Sequence, residues 1–134
     1  MDNTQRTLVF TATFNESENI EKLIKLINSQ PYQLDILVID DNSPDGTREI
    51  IISLQKNFKN LYLINRDKKL GLDTAHKHAY NYAILNKYDF LITMDADLSH
   101  NPDDIGFFLE HLNNHSFVIG SRYIKGGKCL MKKR

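Results

Sequence analysis

The sequence predicts an α/β fold of three layers, a mainly parallel β-sheet with alternating helices on both of its faces. Three observations carry that expectation. Short apolar, β-prone runs alternate with amphipathic stretches in the order β-α-β-α-β-α-β-α-β, and such alternation builds parallel strands joined by helical crossovers. The run Leu34-Asp35-Ile36-Leu37-Val38-Ile39 reads as a strand buried by layers on either side. The unusual polar clusters all stand where apolar runs end: Asn15-Glu16, Asp40-Asp41, Asp95-Ala96-Asp97 and Ser121-Arg122. In open parallel sheets that carboxyl edge is where ligands bind.

Taken in order, residues 7–13 form a short β-prone strand. Ile20, Leu23, Ile24 and Ile27 then recur at i, i+3, i+4 and i+7, one face of a helix. Asn15, with Glu18 three residues later, predicts the start of that helix as a capping box. Residues 34–39 make the second strand, which stops at Asp40-Asp41. Ser43-Pro44 predicts the next helix start, with serine as N-cap and proline at the first helical position, and Ile50, Ile51 and Leu54 supply its apolar face. Leu61-Tyr62-Leu63-Ile64 is a third strand, and a polar loop containing Gly71 leads to a helix of Ala75, Ala79, Tyr82 and Ala83. Residues 90–94 form a fourth strand ending at Asp95-Ala96-Asp97. Asn101-Pro102-Asp103-Asp104 opens a helix with acids at its positive end, lined inside by Ile105, Phe108, Leu109 and Leu112. Phe117-Val118-Ile119-Gly120 is the fifth strand. Residues 1–127 are expected to form one domain, followed by a basic tail, residues 128–134.

Composition excludes several classes. A chain of 134 residues, 41% hydrophobic and 25% charged, suits one globular domain and not a disordered or fibrous chain. The single cysteine, Cys129, cannot form an internal disulfide or a cysteine metal cluster. No apolar run approaches the roughly 18 residues that span a bilayer, and the polar residues 1–6 do not read as a signal peptide, so the expected location is cytoplasmic. Six of the 17 basic residues follow Ser121 with no acid among them, leaving eleven against all 17 acids in the rest of the chain. A basic tail suits nucleic acid, anionic lipid or a phosphorylated ligand, and is otherwise a solvated terminus.

Among the residues that could carry chemistry, Asp95-Ala96-Asp97 is the most informative, because a strand buried on both faces has no use for two carboxylates at its end. If Asp40 and Asp41 arrive at the same edge, up to four negative charges converge and call for a cation. Oxygen donors without cysteine or convergent histidine suit Mg²⁺ or Mn²⁺, which keep positions open for phosphate oxygens. The bland alternative is that these acids cap the following loop. A carboxylate of the Asp40-Asp41 pair could accept hydrogen bonds from a base N–H or a ribose hydroxyl, whereas Asp45 reads as a first-turn helix acid. Glu16 is equally a nucleoside contact or a first-turn acid. The loop Lys68-Lys69-Leu70-Gly71-Leu72-Asp73-Thr74-Ala75 lacks Gly-x-Gly-x-x-Gly, which disfavours a dinucleotide-binding dehydrogenase. His76 and His78 cannot share a helix face and read as surface residues, and His100, next to the acidic loop, is either a site-lining group or, in the favoured reading, a solvent-exposed residue.

These strings together resemble the nucleotide-sugar-binding half of an inverting family 2 glycosyltransferase with the GT-A fold, a Rossmann-like architecture, and within that family the polyprenol (dolichol) phosphate mannosyltransferases. The matching segments are Thr13-Phe14-Asn15-Glu16-Ser17-Glu18-Asn19-Ile20, Val38-Ile39-Asp40-Asp41-Asn42-Ser43-Pro44-Asp45-Gly46-Thr47, Lys69-Leu70-Gly71-Leu72, Met94-Asp95-Ala96-Asp97-Leu98-Ser99-His100 and Gly120-Ser121-Arg122-Tyr123. The resemblance implies that Ala12 (where the family usually has proline), Phe14 and Glu16 contact the nucleoside and that Ile39 and Asp41 hold the base. It implies that Ala96 and Asp97 meet the sugar nucleotide, and that Asp95, Asp97 and Ser99 take Mg²⁺ or Mn²⁺. Arg122, with Lys125 and Lys128, would hold phosphate. Asp73 stands where the family usually has glycine. The implied reaction moves a hexose, mannose from GDP-mannose or alternatively glucose from UDP-glucose, to a polyprenyl phosphate. The implied setting is peripheral, at the cytoplasmic face of a membrane, with no nucleic-acid partner. Family members continue well beyond the end of the match near Gly127, so the chain reads as a fragment, a truncated product or a degenerate copy, and a donor-binding module without turnover is one expectation. A phosphoacceptor receiver domain is the rival from another class. It needs its acidic pair after the first strand and a lysine after the last, where this sequence has Asp40-Asp41 after the second strand and Ser121-Arg122 after the fifth.

Overall fold

The computed structural model describes residues 6–68, 70–99, 101–106, 109, 117–119 and 130–131. Its strands are β1 (Thr7–Thr13), β2 (Leu34–Asp40), β3 (Leu61–Asn65), β4 (Phe90–Thr93), β5 (Phe117–Ile119) and β6 (Leu130–Met131). They lie in one sheet in the order β3-β2-β1-β4-β5-β6. The first five pair in parallel, and β6 returns antiparallel along β5. Helices α1 (Ile20–Asn28), α2 (Thr47–Gln55) and α3 (Leu72–Leu85) and a 3₁₀ turn, Pro102–Asp104, connect them. The chain steps outward from β1 to β2 and β3, then returns to the other side of β1 with β4. That reversal opens a crevice at the carboxyl ends of β1 and β4.

The alternating direction of strand side chains divides the core in two. Val9, Ile36, Val38 and Ile92 join the inner stripes of α1 and α2. Leu8, Phe10, Leu37, Ile39 and Leu91 pack against α3. The register puts Val9 between Ile36 and Ile92, so one buried layer runs across three strands. All four members of the α1 stripe, Ile20, Leu23, Ile24 and Ile27, are at most 1% exposed. Each such side chain contributes roughly 1.5–3 kcal/mol by leaving water. The α3 stripe is Ala75, Ala79 and Ala83, spaced four apart and fully enclosed. Side chains this small bring the helix close against the sheet, and a larger residue there would overpack by about 1–3 kcal/mol.

The strand and stripe expectations agree with these elements, but two helix starts do not. α1 begins at Ile20 behind Asn19, and Asn15 lies outside it with a left-handed backbone at φ +59 instead of forming a capping box with Glu18. α2 begins at Thr47 behind Gly46, whose φ of +94 suits a residue without a side chain, so Ser43 is not its N-cap and Pro44 is not at its first position. Asn101 does cap the segment that follows it, its side chain accepting the Asp103 N–H, but the first turn is 3₁₀. Ile105 is buried in the larger cluster and Leu109 packs against it, while Phe108, Leu112 and Gly120 lie outside the described residues. The pairing of Leu130–Met131 with β5 lies within the expected basic tail and had no periodic signal in the sequence.

Candidate functional site

Parallel register assembles the site. Thr13 lies beside Asp40 in the β1–β2 ladder, so the residues just beyond the two strands emerge together at the carboxyl edge. There Ala12, Thr13 and Phe14 from the end of β1, Asp41 from β2, and Gly71, Leu72 and Ala75 from the start of α3 line a cleft of about 120 Å³. Three of the residues expected at the nucleoside, Ala12, Phe14 and Asp41, thus face one cavity. The N-terminus of α3 opens on it, an end whose unpaired amides and dipole favour anions. Asp73, at the position where glycine was expected, sits in the first turn of that helix. A larger, shallow depression of about 420 Å³ on α1 lies among Glu18, Glu21, Lys22 and Lys25 and is a solvated helix face carrying the Glu21–Lys25 pair.

Other expected contacts fall elsewhere. The Ile39 side chain is wholly within the core against the α3 face, and Ala96 is buried in the opposite cluster. Neither side chain reaches the cleft. Glu16 is half-buried at the entry to α1. Its carboxylate meets Asn19 Nδ2 at 3.3 Å, its carbonyl accepts from the Asn19 and Ile20 amides, and it does not line the cleft. Glu16 also stands ahead of α1, whose first-turn acid is Glu21, so it matches neither of its two expected placements.

The four aspartates do not converge on one cation. Asp40 is fully buried, and its oxygens accept from Thr13 Oγ1 at 2.6 Å, Ser43 Oγ at 2.6 Å and the Ser43 N–H at 2.9 Å. It ties β1 to the β2–α2 loop. Asp41 is gripped by Arg66, with Nε on Oδ1 at 2.6 Å and Nη2 on Oδ2 at 2.9 Å, the two residues being only 7% and 8% exposed. The Leu70 N–H adds a third bond at 3.2 Å. Arg66 also donates to Thr74 Oγ1 and the Gly71 carbonyl, so one guanidinium joins β2, the end of β3 and the entry to α3. The sequence reading missed Arg66. A lone arginine at the end of a strand, on the edge that also carries an unexplained Asp-Asp, was the available signal.

The loop after β4 keeps its oxygens at the edge. Ser99 donates its N–H to Asp97 Oδ1 at 3.0 Å and its hydroxyl to Asp95 Oδ2 at 3.3 Å. Between them Leu98 takes φ +67 with its side chain packed against the core. That backbone costs an L-residue roughly 1–2 kcal/mol, which the packing of this half-buried leucine against the core offsets in part. The donor set of two carboxylates and a hydroxyl is all hard oxygen and fits Mg²⁺ or Mn²⁺. Among the described residues no group of three or more His, Cys, Asp or Glu is placed to hold a metal. An ion here would therefore complete its shell with ligand oxygens and water, as Mg²⁺ commonly does. His100, Arg122, Lys125 and Lys128 lie outside the described residues.

Two further groups differ from expectation. His76, expected at the surface, is half-buried: it packs edge-on against Phe10, ring centroids 5.4 Å apart, and against Tyr80. Burial lowers its pKa from 6.5, while the charges of Asp73 and Asp95 act the other way. Asp45 stands just ahead of the Gly46 cap. Burial raises its pKa, but hydrogen bonds from Thr47 and Ser17 outweigh that effect and hold the carboxyl at about 2. It belongs to a junction in which the amides of Asn15, Glu16 and Ser17 donate to Ser43 Oγ, Thr47 Oγ1 and Asp45 Oδ2. Among the described residues no helix is long and apolar enough to cross a membrane.

Comparison with known proteins agrees with this architecture. Polyprenol monophosphomannose synthase of Mycolicibacterium smegmatis is 36% identical over 126 residues, 92% of this chain and 48% of that protein. Dolichol-phosphate mannosyltransferase of Pyrococcus furiosus is 39% identical over 123 residues, 90% of this chain and 34% of that protein. The chain therefore spans about half, or less, of the length of these curated relatives. A mannosyltransferase from Pyrobaculum calidifontis, solved in complex with GDP-Man and Mn²⁺, superposes with a TM-score of 0.62 at 27% identity over 72% of this chain and 29% of that one. Staphylococcus aureus TarS shares the fold with a TM-score of 0.62 at 23% identity, covering 80% of this chain and 33% of that one. The family model described as Glycosyl transferase family 2 matches residues 8–133, continuing past Gly127 where the resemblance was expected to end. With nearly its whole length inside that match, the chain belongs to glycosyltransferase family 2.

Proposed function

We propose that this chain binds a nucleoside diphosphate sugar, GDP-mannose, and carries the donor side of mannosyl transfer to a polyprenyl phosphate with inversion at the anomeric carbon. The observation that carries the reading is the cleft between Phe14, Asp41 and the N-terminus of α3, on the same sheet edge as the Asp95, Asp97 and Ser99 oxygens. Ala12 and Phe14 offer an apolar wall to the nucleoside. Asp41, held by Arg66, offers a fixed acceptor, and the α3 amides favour the diphosphate. Asp95, Asp97 and Ser99 would hold Mg²⁺ or Mn²⁺, which when bound would neutralise charge on the departing diphosphate. The acceptor phosphate is already anionic at neutral pH, its second pKa being about 6, so it needs little help from a general base. Arg122, Lys125 and Lys128 are assigned to that phosphate, and the basic residues near the C-terminus to peripheral attachment at an anionic membrane surface. We read residues 1–127 as the donor-binding unit. The names of the mannosyltransferase relatives support mannose and a polyprenyl acceptor over UDP-glucose.

The test is calorimetric titration with GDP-mannose and UDP-glucose, each with Mn²⁺ and with EDTA, followed by an assay with a short polyprenyl phosphate. GDP-mannose binding that strengthens with Mn²⁺ supports the donor assignment, and formation of the lipid-linked sugar supports turnover. Metal-independent affinity for both donors refutes the metal assignment. Binding without transfer leaves a donor-binding module.

A further inference from the structure

The loop after β4 alternates between core and edge. Ala96 joins the buried cluster beneath α1 and the half-buried Leu98 packs against it, while Asp95, Asp97 and Ser99 remain partly or fully exposed. Among the described residues four non-glycines have positive φ: Asn15, Asn42, Lys87 and Leu98. Two are asparagines, the type that enters this region most easily. Lys87 ends the turn after α3. Leu98 is a bulky, γ-branched residue in the middle of the acidic loop, and its conformation requires a cause.

The consequence of that conformation is visible on either side. An extended residue 98 would leave residues 97 and 99 pointing the same way about 7 Å apart. The left-handed one turns the chain back, so that Ser99 reaches Asp97 through its N–H at 3.0 Å and Asp95 through its hydroxyl at 3.3 Å. The leucine side chain, half-buried, packs against the core cluster.

We propose that Leu98 is a positioning residue, its core-anchored side chain holding the backbone left-handed and so setting the oxygens of Asp95, Asp97 and Ser99 as one face. This rests on reading that loop as the metal and diphosphate contact, but it concerns what holds the loop. A leucine that merely fills the core would leave the loop geometry unchanged when shortened.

The experiment compares the wild-type chain with Leu98→Ala, Leu98→Gly and Leu98→Met by two measurements. One is hydrogen exchange at the Ser99 amide, referenced to the Val38 amide in the central sheet so that a general loss of stability cancels. The other is the gain in GDP affinity on adding Mn²⁺. Leu98→Ala should accelerate Ser99 exchange relative to Val38 by about tenfold and cut the Mn²⁺-dependent gain by about tenfold, the usual effect of removing a group that orients metal ligands. Leu98→Gly, which adopts the same backbone without an anchor, should behave like Leu98→Ala. Leu98→Met, which restores apolar volume, should lie within about twofold of wild type. Wild-type Ser99 exchange in Leu98→Ala, or a wild-type Mn²⁺ gain in Leu98→Gly, overturns the proposal. A wild-type chain with no Mn²⁺ gain removes the metal reading instead, and Leu98 then stands or falls on the exchange measurement alone.

Discussion

Breaking the Asp41–Arg66 pair should cost far more than breaking a surface ion pair. Both residues are more than nine-tenths buried, and among the described residues the carboxylate holds two guanidinium bonds and one other, from Leu70. Arg66→Met keeps most of the aliphatic stem and removes the cation, leaving a desolvated negative charge with a single amide donor. Removing one partner of a buried pair typically costs about 3–5 kcal/mol. The lost bonds to Thr74 and Gly71 add about 1 kcal/mol each at most. Against a total stability of roughly 5–15 kcal/mol this is a large fraction, visible as a fall of roughly 10 °C or more in melting midpoint. Asp41→Asn should be costly for the mirror-image reason, since it strands the guanidinium. The double variant Asp41→Asn with Arg66→Met removes both charges, and its loss should be smaller than the sum of the singles by about 1–3 kcal/mol. Urea unfolding of the four proteins, followed by circular dichroism, measures each term. Single losses below about 1 kcal/mol, as for an exposed pair, or losses that simply add, would refute the claim that Arg66 and Asp41 act as one buried unit.

Asp97→Asn should lower Mn²⁺-dependent GDP-mannose affinity by about a hundredfold with an unchanged circular dichroism spectrum; equal affinities in calorimetry with and without EDTA would remove Asp97 from the metal. His76 titrates below 6.5 because it is buried, so the unfolded chain takes up its proton first as pH falls. Stability is therefore fully present above pH 6.5 and declines below it, and His76→Gln should flatten that part of the urea-midpoint profile. Asp45 shows the same sign in a more acidic window: its contribution is complete above 3.8 and lost as pH falls toward about 2. Asp45→Asn should be less stable than wild type at pH 7, with the gap closing between those two values.

Much of the fold was legible because both sheet faces are covered. Residues that are buried whichever way they point leave uninterrupted apolar runs such as residues 36–39, and the i, i+3, i+4, i+7 stripe of α1 has a single inward direction. Helix starts were less legible because tertiary partners outbid local ones. Ser43 looks like an N-cap in isolation, but its hydroxyl donates to Asp40 and accepts from the amide of Asn15, 28 residues away. The gathering of Ala12, Phe14 and Asp41 at one cleft follows from parallel register, which the β-α-β order implies. What charge counting missed was partnership. Asp40 and Asp41 are conspicuous in sequence, yet the groups that satisfy them are Thr13 and Arg66, 27 and 25 positions away. The ring contacts of His76 with Phe10 and Tyr80 were not legible because only its spacing from His78 was weighed, and not its place beside the Ala75 and Ala79 stripe.

The junction between the β1–α1 and β2–α2 loops divides its labour unevenly. One side lends the main-chain amides of Asn15, Glu16 and Ser17 together with the Ser17 hydroxyl, which also bonds Asp45, and the other lends the side chains of Ser43, Asp45 and Thr47. Substitutions at position 16 leave its amide donor in place, position 15 asks only for a residue content at φ +59, and position 17 needs a hydroxyl to keep its second bond to Asp45. Positions 43, 45 and 47 have no such latitude, since each hydroxyl or carboxylate is itself the acceptor. Sequence drift should accumulate on one bank of the junction and stall on the other. A designer wishing to recast the cleft's apolar wall therefore has positions 14 and 16, whose side chains can be rewritten while the neighbouring loop keeps the segment in place through its amides.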